Sequence, residues 1–283
     1  MDTATRRIAY ACILLMCTFT LVFSCIHSTS RMNATISFID VGQGDSILIQ
    51  SPSGKQLLVD GGRSKSVLSE LENLLPYFDR SIDVVIGTHP DADHIGGLPY
   101  VVQEYEVGAL FEPGSLSDSK IYTSLEKSVS DKKIPHLYAR ENMVIDFGDD
   151  SYFVFLFPNQ DVHNWETNNS SIVGMFVYKN TSFLLTGDAP IATESYLIKK
   201  YPTLTSDVLK LGHHGSRTSS GEAFLKSIHP GLAIVSAGKG NSYGHPHQEV
   251  MERLSMLDIP SFSTIDFGTI TLSSNGNTIE LKQ

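Results

Sequence analysis

Apolar and polar positions alternate along the chain from Thr35 to Asp60 in a strand, turn, strand, turn, strand pattern. The predicted strands are Ile36–Val41, Ser46–Gln50 and Gln56–Asp60, with Gly42-Gln43-Gly44 and Pro52-Ser53-Gly54 as the turns between them. Val67, Leu68, Leu71, Leu74 and Leu75 recur at helical spacing and predict a helix over 67–75. A continuous apolar strand, Asp83–Gly87, follows and runs into a polar loop. The second half repeats this order. Ser171–Tyr178 and Thr181–Thr186 read as strands around Lys179-Asn180, then a helix over Ile191–Lys200 and a strand over Val208–Leu211. A strand at Ala233–Ser236 and a helix at Gln248–Leu257 close the pattern.

Each half therefore reads strand–Asp, helix, strand–His. Asp60 lies 29 residues before His89, and Asp188 lies 25 residues before His213. Two pseudo-equivalent halves of this kind predict an α/β fold with two sheets face to face, each covered by helices, and both strand-end clusters at one edge. Residues 98–165 are the least regular part. They carry a polar helix candidate near Ser119–Ser130 and strands near His136–Tyr138 and Tyr152–Phe157, and read as an insertion that shapes the pocket mouth.

Composition narrows the functional classes. Hydrophobic residues make up 41% of the 283, enough for a sizeable core, and the formal charge is −10. No broad basic face can recruit nucleic acid, so an anionic substrate must be drawn by metal ions and a few local bases. The N-terminus is a separate object. Arg6 and Arg7 precede the sixteen-residue apolar run Ile8–Phe23. That is short for a membrane span and fits a signal-peptide core over residues 1–24. Cys12, Cys17 and Cys25 all lie in or just after this run, so the domain from 35 to 283 needs no disulfide and has no cysteine ligand. Cys25 stands where a lipoprotein signal would place it, although Phe23 is a poor fit to such a signal. The expectation is a secreted domain, lipid-anchored through Cys25 at the cell envelope.

The candidate chemistry is concentrated in Thr88-His89-Pro90-Asp91-Ala92-Asp93-His94-Ile95-Gly96-Gly97. Two imidazoles and two carboxylates within six residues at a strand end read as a centre for two metal ions. Asp60, in Asp60-Gly61-Gly62, could orient a ligand histidine or simply shape a strand-end turn. Gln43 and Asp45 could approach the cleft or only shape their turn. Lys210 could contact an anion or snorkel. Ser216 is better placed to cap a helix than to act as a nucleophile.

The ordered motifs LLVDGG, THPDADHIGG, NNSSIV, FLLTGD, DVLKLGHHGS and SYGHPH resemble the metallo-β-lactamase superfamily, and more narrowly the hydrolase domain of ComEC-type DNA-uptake proteins and their stand-alone relatives. The likeness runs from about Thr35 to Glu280. It implies a four-layer αββα sandwich. It also implies that His89 and Asp91 hold one metal, Asp93 and His94 the second, and Asp188 bridges them. A histidine from His213-His214 completes the set, with His214 favoured and His213 near the reacting oxygen. Asp91 stands where the wider superfamily has histidine, which shifts preference from zinc towards manganese without excluding zinc. Asn168, Asn169, Ser170 and Ser171 stand where many members supply another histidine, and suggest a more open metal site with a hydrogen-bonding floor. His245 is a candidate to serve the leaving oxygen or bind the phosphate.

The implied reaction is hydrolysis of a phosphodiester (DNA, a nucleotide or an envelope phosphodiester) by a metal-bridging hydroxide. Lactones, thioesters or β-lactams are the alternative substrates, and a non-catalytic surface binding protein is the reading from another class. No protein partner is predicted.

Overall fold

The computed structural model describes Tyr10, residues 12–18 and residues 33–282. Residues 12–18 are helical and exposed; most of the expected leader, and Cys25 with it, lies outside the described residues. Among the described residues no helix is long and apolar enough to cross a membrane.

Two mixed sheets form the centre. The first has eight strands in the order β15 (Ile279–Lys282), β14 (Ile270–Ser274), β1 (Ala34–Phe38), β2 (Ile47–Gln50), β3 (Gln56–Val59), β4 (Ser81–Ile86), β5 (Glu106–Glu112) and β6 (His136–Tyr138). The second has seven, in the order β13 (Ser261–Ser263), β12 (Leu232–Val235), β11 (Val208–Lys210), β10 (Thr181–Leu185), β9 (Val173–Tyr178), β8 (Ser151–Phe157) and β7 (Val144–Gly148).

Strand periodicity builds the layers, because successive side chains leave a strand on opposite faces. In β3, Leu57 and Val59 enter the core between the sheets while Leu58 faces outward. In β10, Phe183 and Leu185 point inward and Leu184 outward. Phe153, Phe155 and Phe176 fill the space between the sheets with them. Outside the first sheet, helices α1 (Ser66–Leu74), α3 (Leu98–Glu104) and α4 (Lys120–Lys132) bury Val67, Leu71, Val101, Leu125 and Val129 against Leu58 and Val85. Outside the second, α5 (Ile191–Lys200), α6 (Glu222–Ile228) and α7 (Gln248–Met256) bury Leu197, Leu225 and Val250 against Leu184 and Leu209. The short helices α2 (Ala92–Ile95) and α8 (Thr264–Phe267) complete the set. The result is the four-layer αββα sandwich expected.

Both halves contain a strand–helix–strand unit with parallel strands: β3–α1–β4 and β10–α5–β11. Their carboxyl ends lie at one edge, where loops are free to carry chemistry. Residues 98–165 supply β5 and β6 to the first sheet and β7 and β8 to the second, with α3 and α4 outside. The terminal strand β14 pairs with β1 and so ties the C-terminal segment to the start of the domain.

Candidate metal centre

Strand β4 ends at Ile86, and the chain turns through Thr88 into the histidine loop. Asp60, at the end of neighbouring β3, clamps this turn. Its carboxylate accepts from the Thr88 backbone N–H at 2.8 Å and the Thr88 hydroxyl at 2.7 Å, and lies 2.8 Å from His94 Nδ1. Asp91 is extended, and the single helical turn α2 that follows presents Asp93 and His94. The glycines after it are there for space. A Cβ on Gly97 would lie 2.0 Å from the Gly61 carbonyl oxygen, and one on Gly96 2.3 Å from that of Arg63. Only bare backbone lets the metal loop pack on the Asp60 turn.

The second half brings Asp188, just past β10, and the 3₁₀ turn Gly212–Gly215, just past β11. His213 and His214 both have left-handed backbones, with φ of 50° and 55°. Side chains bearing a Cβ take this conformation at a cost. Here it turns both imidazoles back towards Asp188.

The two halves meet at the imidazole Nε2 atoms. His94 Nε2 lies 3.2 Å from Asp188 Oδ1, while His89, His213 and His214 Nε2 lie 3.8, 3.5 and 3.7 Å from Asp188 Oδ2. Asp91 Oδ2 is 3.7 Å from His89 Nε2, and Asp93 Oδ2 is 3.5 Å from His214 Nε2. The Nε2 atoms of His89, His94 and His214 and Oδ1 of Asp188 are buried without a hydrogen-bond partner. Each such orphan costs roughly 1–3 kcal/mol. Divalent cations, which take nitrogen and oxygen donors of this kind, would satisfy these atoms. The residues present therefore fit a metal ion.

The other ring nitrogens are held from behind, which directs each Nε2 lone pair inward. His89 Nδ1 lies 3.2 Å from Ser171 Oγ and 3.1 Å from Thr88 Oγ1, and Ser171 Oγ also accepts from the Asp188 backbone N–H. His214 Nδ1 donates to the Ser236 carbonyl oxygen at 2.9 Å and faces Asp45 Oδ1 at 3.2 Å. Asp45 is within 4.8 Å of the ligand atoms of His94, Asp188 and His214, which would allow it to be a ligand itself. Its carboxylate, however, faces Nδ1 of both histidines and is engaged by Lys210. We read Asp45 as the carboxylate that positions His214.

Electrostatics match this geometry. Burial, with His94 beside it, lowers His89 to about 3 and keeps it a neutral donor. Burial opposes charge on His214, but Asp188 and Asp45 outweigh it and raise the group to about 9. Burial likewise opposes charge on Asp188, yet His94 and His214 hold its carboxyl well below the usual range. The cluster is built to pair anions with positive charge at its centre.

The structure thus gathers His89, Asp91, Asp93, His94, Asp188, His213 and His214 at one point. His245 stands beside them, with its ring centroid 5.4 Å from that of His213, and burial next to His213 and His214 lowers it to about 4. Lys210 is not directed at the cleft: it is 1% exposed and paired with the equally buried Asp45. Ser170 bonds Ser115 Oγ at 2.7 Å and the Thr167 carbonyl at 2.6 Å. Asn169 is exposed and lines a cleft to one side. Ser171, part of the expected hydrogen-bonding floor, does reach His89, whereas Thr88 and the Ser236 carbonyl were not singled out by the sequence. Thr88 lies next to quoted candidates, and a backbone oxygen leaves no signal at all.

A second acidic and histidine group, Glu112, Glu126 and His136, lies where β5, β6 and α4 meet. His136 Nε2 is 3.2 Å from Glu112 Oε1, and a hydrogen bond with Glu112 raises the imidazole, as in an ordinary ion pair.

A fold of two helix-covered sheets with a His/Asp cluster at their shared edge defines a class, and comparison bears this out. The Metallo-beta-lactamase superfamily profile matches residues 39–239, and the chain belongs to that superfamily. Among individual proteins, it is 31% identical over 271 residues to ComE operon protein 3 of Bacillus subtilis, covering 88% of this chain and 34% of that protein. It is 30% identical over 279 residues to Recombination protein 2 of Haemophilus influenzae, covering 95% and 33%. These relatives are ComEC-type competence proteins, and the chain spans about a third of their length. Among solved structures, the metallo-beta-lactamase fold protein YhfI from Bacillus subtilis superposes with a TM-score of 0.57 at 14% identity, covering 85% of this chain and 100% of that one. That last likeness is one of fold.

Proposed function

We propose that this chain is a metal-dependent phosphodiesterase that cleaves a nucleic-acid strand outside the cytoplasm. The observation that carries the reading is the set of buried, unpartnered Nε2 atoms of His89, His94 and His214 converging on Asp188. The similarity to competence proteins supports a nucleic-acid substrate over a free nucleotide or an envelope phosphodiester. Two divalent ions, zinc or manganese, would be held by His89 with Asp91 and by Asp93 with His94 and His214, with Asp188 between them. When bound, the ions supply activation of water and neutralisation of phosphate charge.

The chain's own groups do the rest. Asp60 holds His94 in the tautomer that offers Nε2, and Asp45 and the Ser236 carbonyl do the same for His214. Asp93 and His213 border the reacting phosphorus, and His245, a neutral imidazole, offers the departing oxygen a hydrogen bond. An anionic strand reaches an acidic protein through this local centre, not through its general surface. Export through the leader at 1–24 and lipid attachment at Cys25 would place the domain at the cell envelope.

The test is hydrolysis of bis-p-nitrophenyl phosphate and single-stranded DNA with manganese, zinc or chelator, beside Asp93→Ala. Metal-dependent turnover lost in the variant is the expected result. Silence on both substrates with metal demonstrably bound would overturn the reading and redirect the search to lactones and thioesters.

A further inference from the structure

Beside the metal centre lies a cleft of about 560 Å³, between the segment after β8 and the first half of α5. Its apolar surface is aromatic. Phe157, buried, has its ring centroid 6.1 Å from that of Trp165 and 5.8 Å from that of Tyr196, and both of those rings are half-buried. The Tyr196 hydroxyl donates to Glu141 at 3.2 Å, which fixes its ring. The rim is polar and carries the amides of Asn159 and Asn169 and the Glu166 carboxylate; among the described residues, no lysine or arginine lines the cleft.

One short turn joins this cleft to the metal centre. The Thr167 hydroxyl bonds Asp91, Asn169 two residues on lines the cleft, and Ser171 after it touches His89. The Asn169 backbone N–H donates to Glu166 at 3.3 Å, so the turn is closed on itself.

We infer that this cleft is a nucleobase subsite, seating a base of the substrate whose phosphodiester lies on the metal centre; the inference rests on the phosphodiesterase reading. A base offers a flat π-face and a hydrogen-bonding edge, and the cleft offers aromatic walls and amide and carboxylate groups at their margin. A phosphate finds no cation here, so the charged part of the substrate is left to the metals. Stacking of this kind tolerates every base, which suits a strand cleaved without regard to sequence.

Trp165 is the chain's sole tryptophan, so its fluorescence reports on the cleft directly. The full chain, in EDTA, is titrated with deoxynucleoside monophosphates, a short oligonucleotide and deoxyribose 5-phosphate, with N-acetyltryptophanamide as the absorbance control. Saturable quenching by the nucleotides and not by the sugar phosphate is expected. Tighter quenching by the oligonucleotide assigns the site to a strand, and equal affinities assign it to a free nucleotide. No saturable quenching, or equal quenching by deoxyribose 5-phosphate, overturns the subsite.

The kinetic arm compares an oligonucleotide with its abasic counterpart. The ratio of their kcat/KM values should fall at least about five-fold in Trp165→Ala and be largely kept in Trp165→Phe. An unchanged ratio in the alanine variant overturns the proposal. A wild-type chain that cleaves neither strand refutes the phosphodiesterase reading, and quenching alone then decides the base site.

Discussion

Replacing Lys210 with methionine should destabilise the protein far more than the loss of an ordinary lysine. The ammonium and the Asp45 carboxylate are 1% and 2% exposed, so neither can turn to water when its partner is removed. Burial pushes the Asp45 carboxyl up, while Lys210, followed by His214, holds it down at about 2. Without Lys210 a buried anion keeps only His214 at 3.2 Å and, more distantly, His94 at 4.0 Å as compensation. Breaking such a pair from one side costs about 3–5 kcal/mol, because the surviving charge is left desolvated. The measurement is urea unfolding of the chelated protein, so that metal linkage does not contribute, with Lys210→Met, Asp45→Asn and the double variant compared. The double variant should recover a good part of the loss, since a neutral amide does not need the cation. A cost below about 1 kcal/mol, or a double variant no better than Lys210→Met, would refute the argument that the pair is dry.

Asp60→Asn should weaken metal binding about 10–100-fold, measured by chelator competition, because an amide donor facing His94 Nδ1 favours the wrong tautomer; unchanged affinity would remove Asp60 from that role. Metal at a hundred-fold excess over its Kd should stabilise the protein by about 2.7 kcal/mol, and Asp188→Asn should abolish this gain in a thermal melt. Burial raises Glu194 to about 7, well above its ordinary 4.5, despite its hydrogen bonds from Ser220 and Gly221. The folded state then holds a proton the unfolded chain releases. Stability should fall as pH rises from about 4.5 to 7, by at most about 3 kcal/mol, and Glu194→Gln should flatten that slope in parallel urea titrations. His213→Gly relieves a left-handed backbone at a side chain 26% exposed, and should melt higher by about 0.5–1 kcal/mol while losing activity.

Much of this was legible from local patterns. The helix over Ile191–Lys200 and the strand over His136–Tyr138 fall where periodicity puts them, and the other elements that were predicted differ by one to three residues at their ends. The dense loop from His89 to His94 announced itself because so many charged and imidazole groups cannot pack as core. Contacts made across the fold were harder to read. The link between Asp45 and Lys210 spans 165 positions, so the sequence left Asp45 open and Lys210 without a partner. Strands β5, β7, β13 and β15 escaped notice because their exposed or half-buried positions carry mixed side chains without clean alternation, and the short β14 escaped although Ile270 and Leu272 alternate with Thr271 and Ser273. Residues 98–165 looked irregular for a related reason: the segment moves from the first sheet to the second part-way along, and each short element follows the pattern of its own layer.

The donors around Asp188 come from both sides of the sandwich: His89, Asp91, Asp93 and His94 follow β4 of one sheet, while Asp188 and His214 follow β10 and β11 of the other. Neither half holds a complete set. An ion seated here is a clasp across the molecule, and it can close only after the two sheets have docked. A chain in which the two sheets have separated loses Asp188 and His214 from the donor set. Under the proposed function, hydrolysis is confined to the form of the chain in which both sheets have docked.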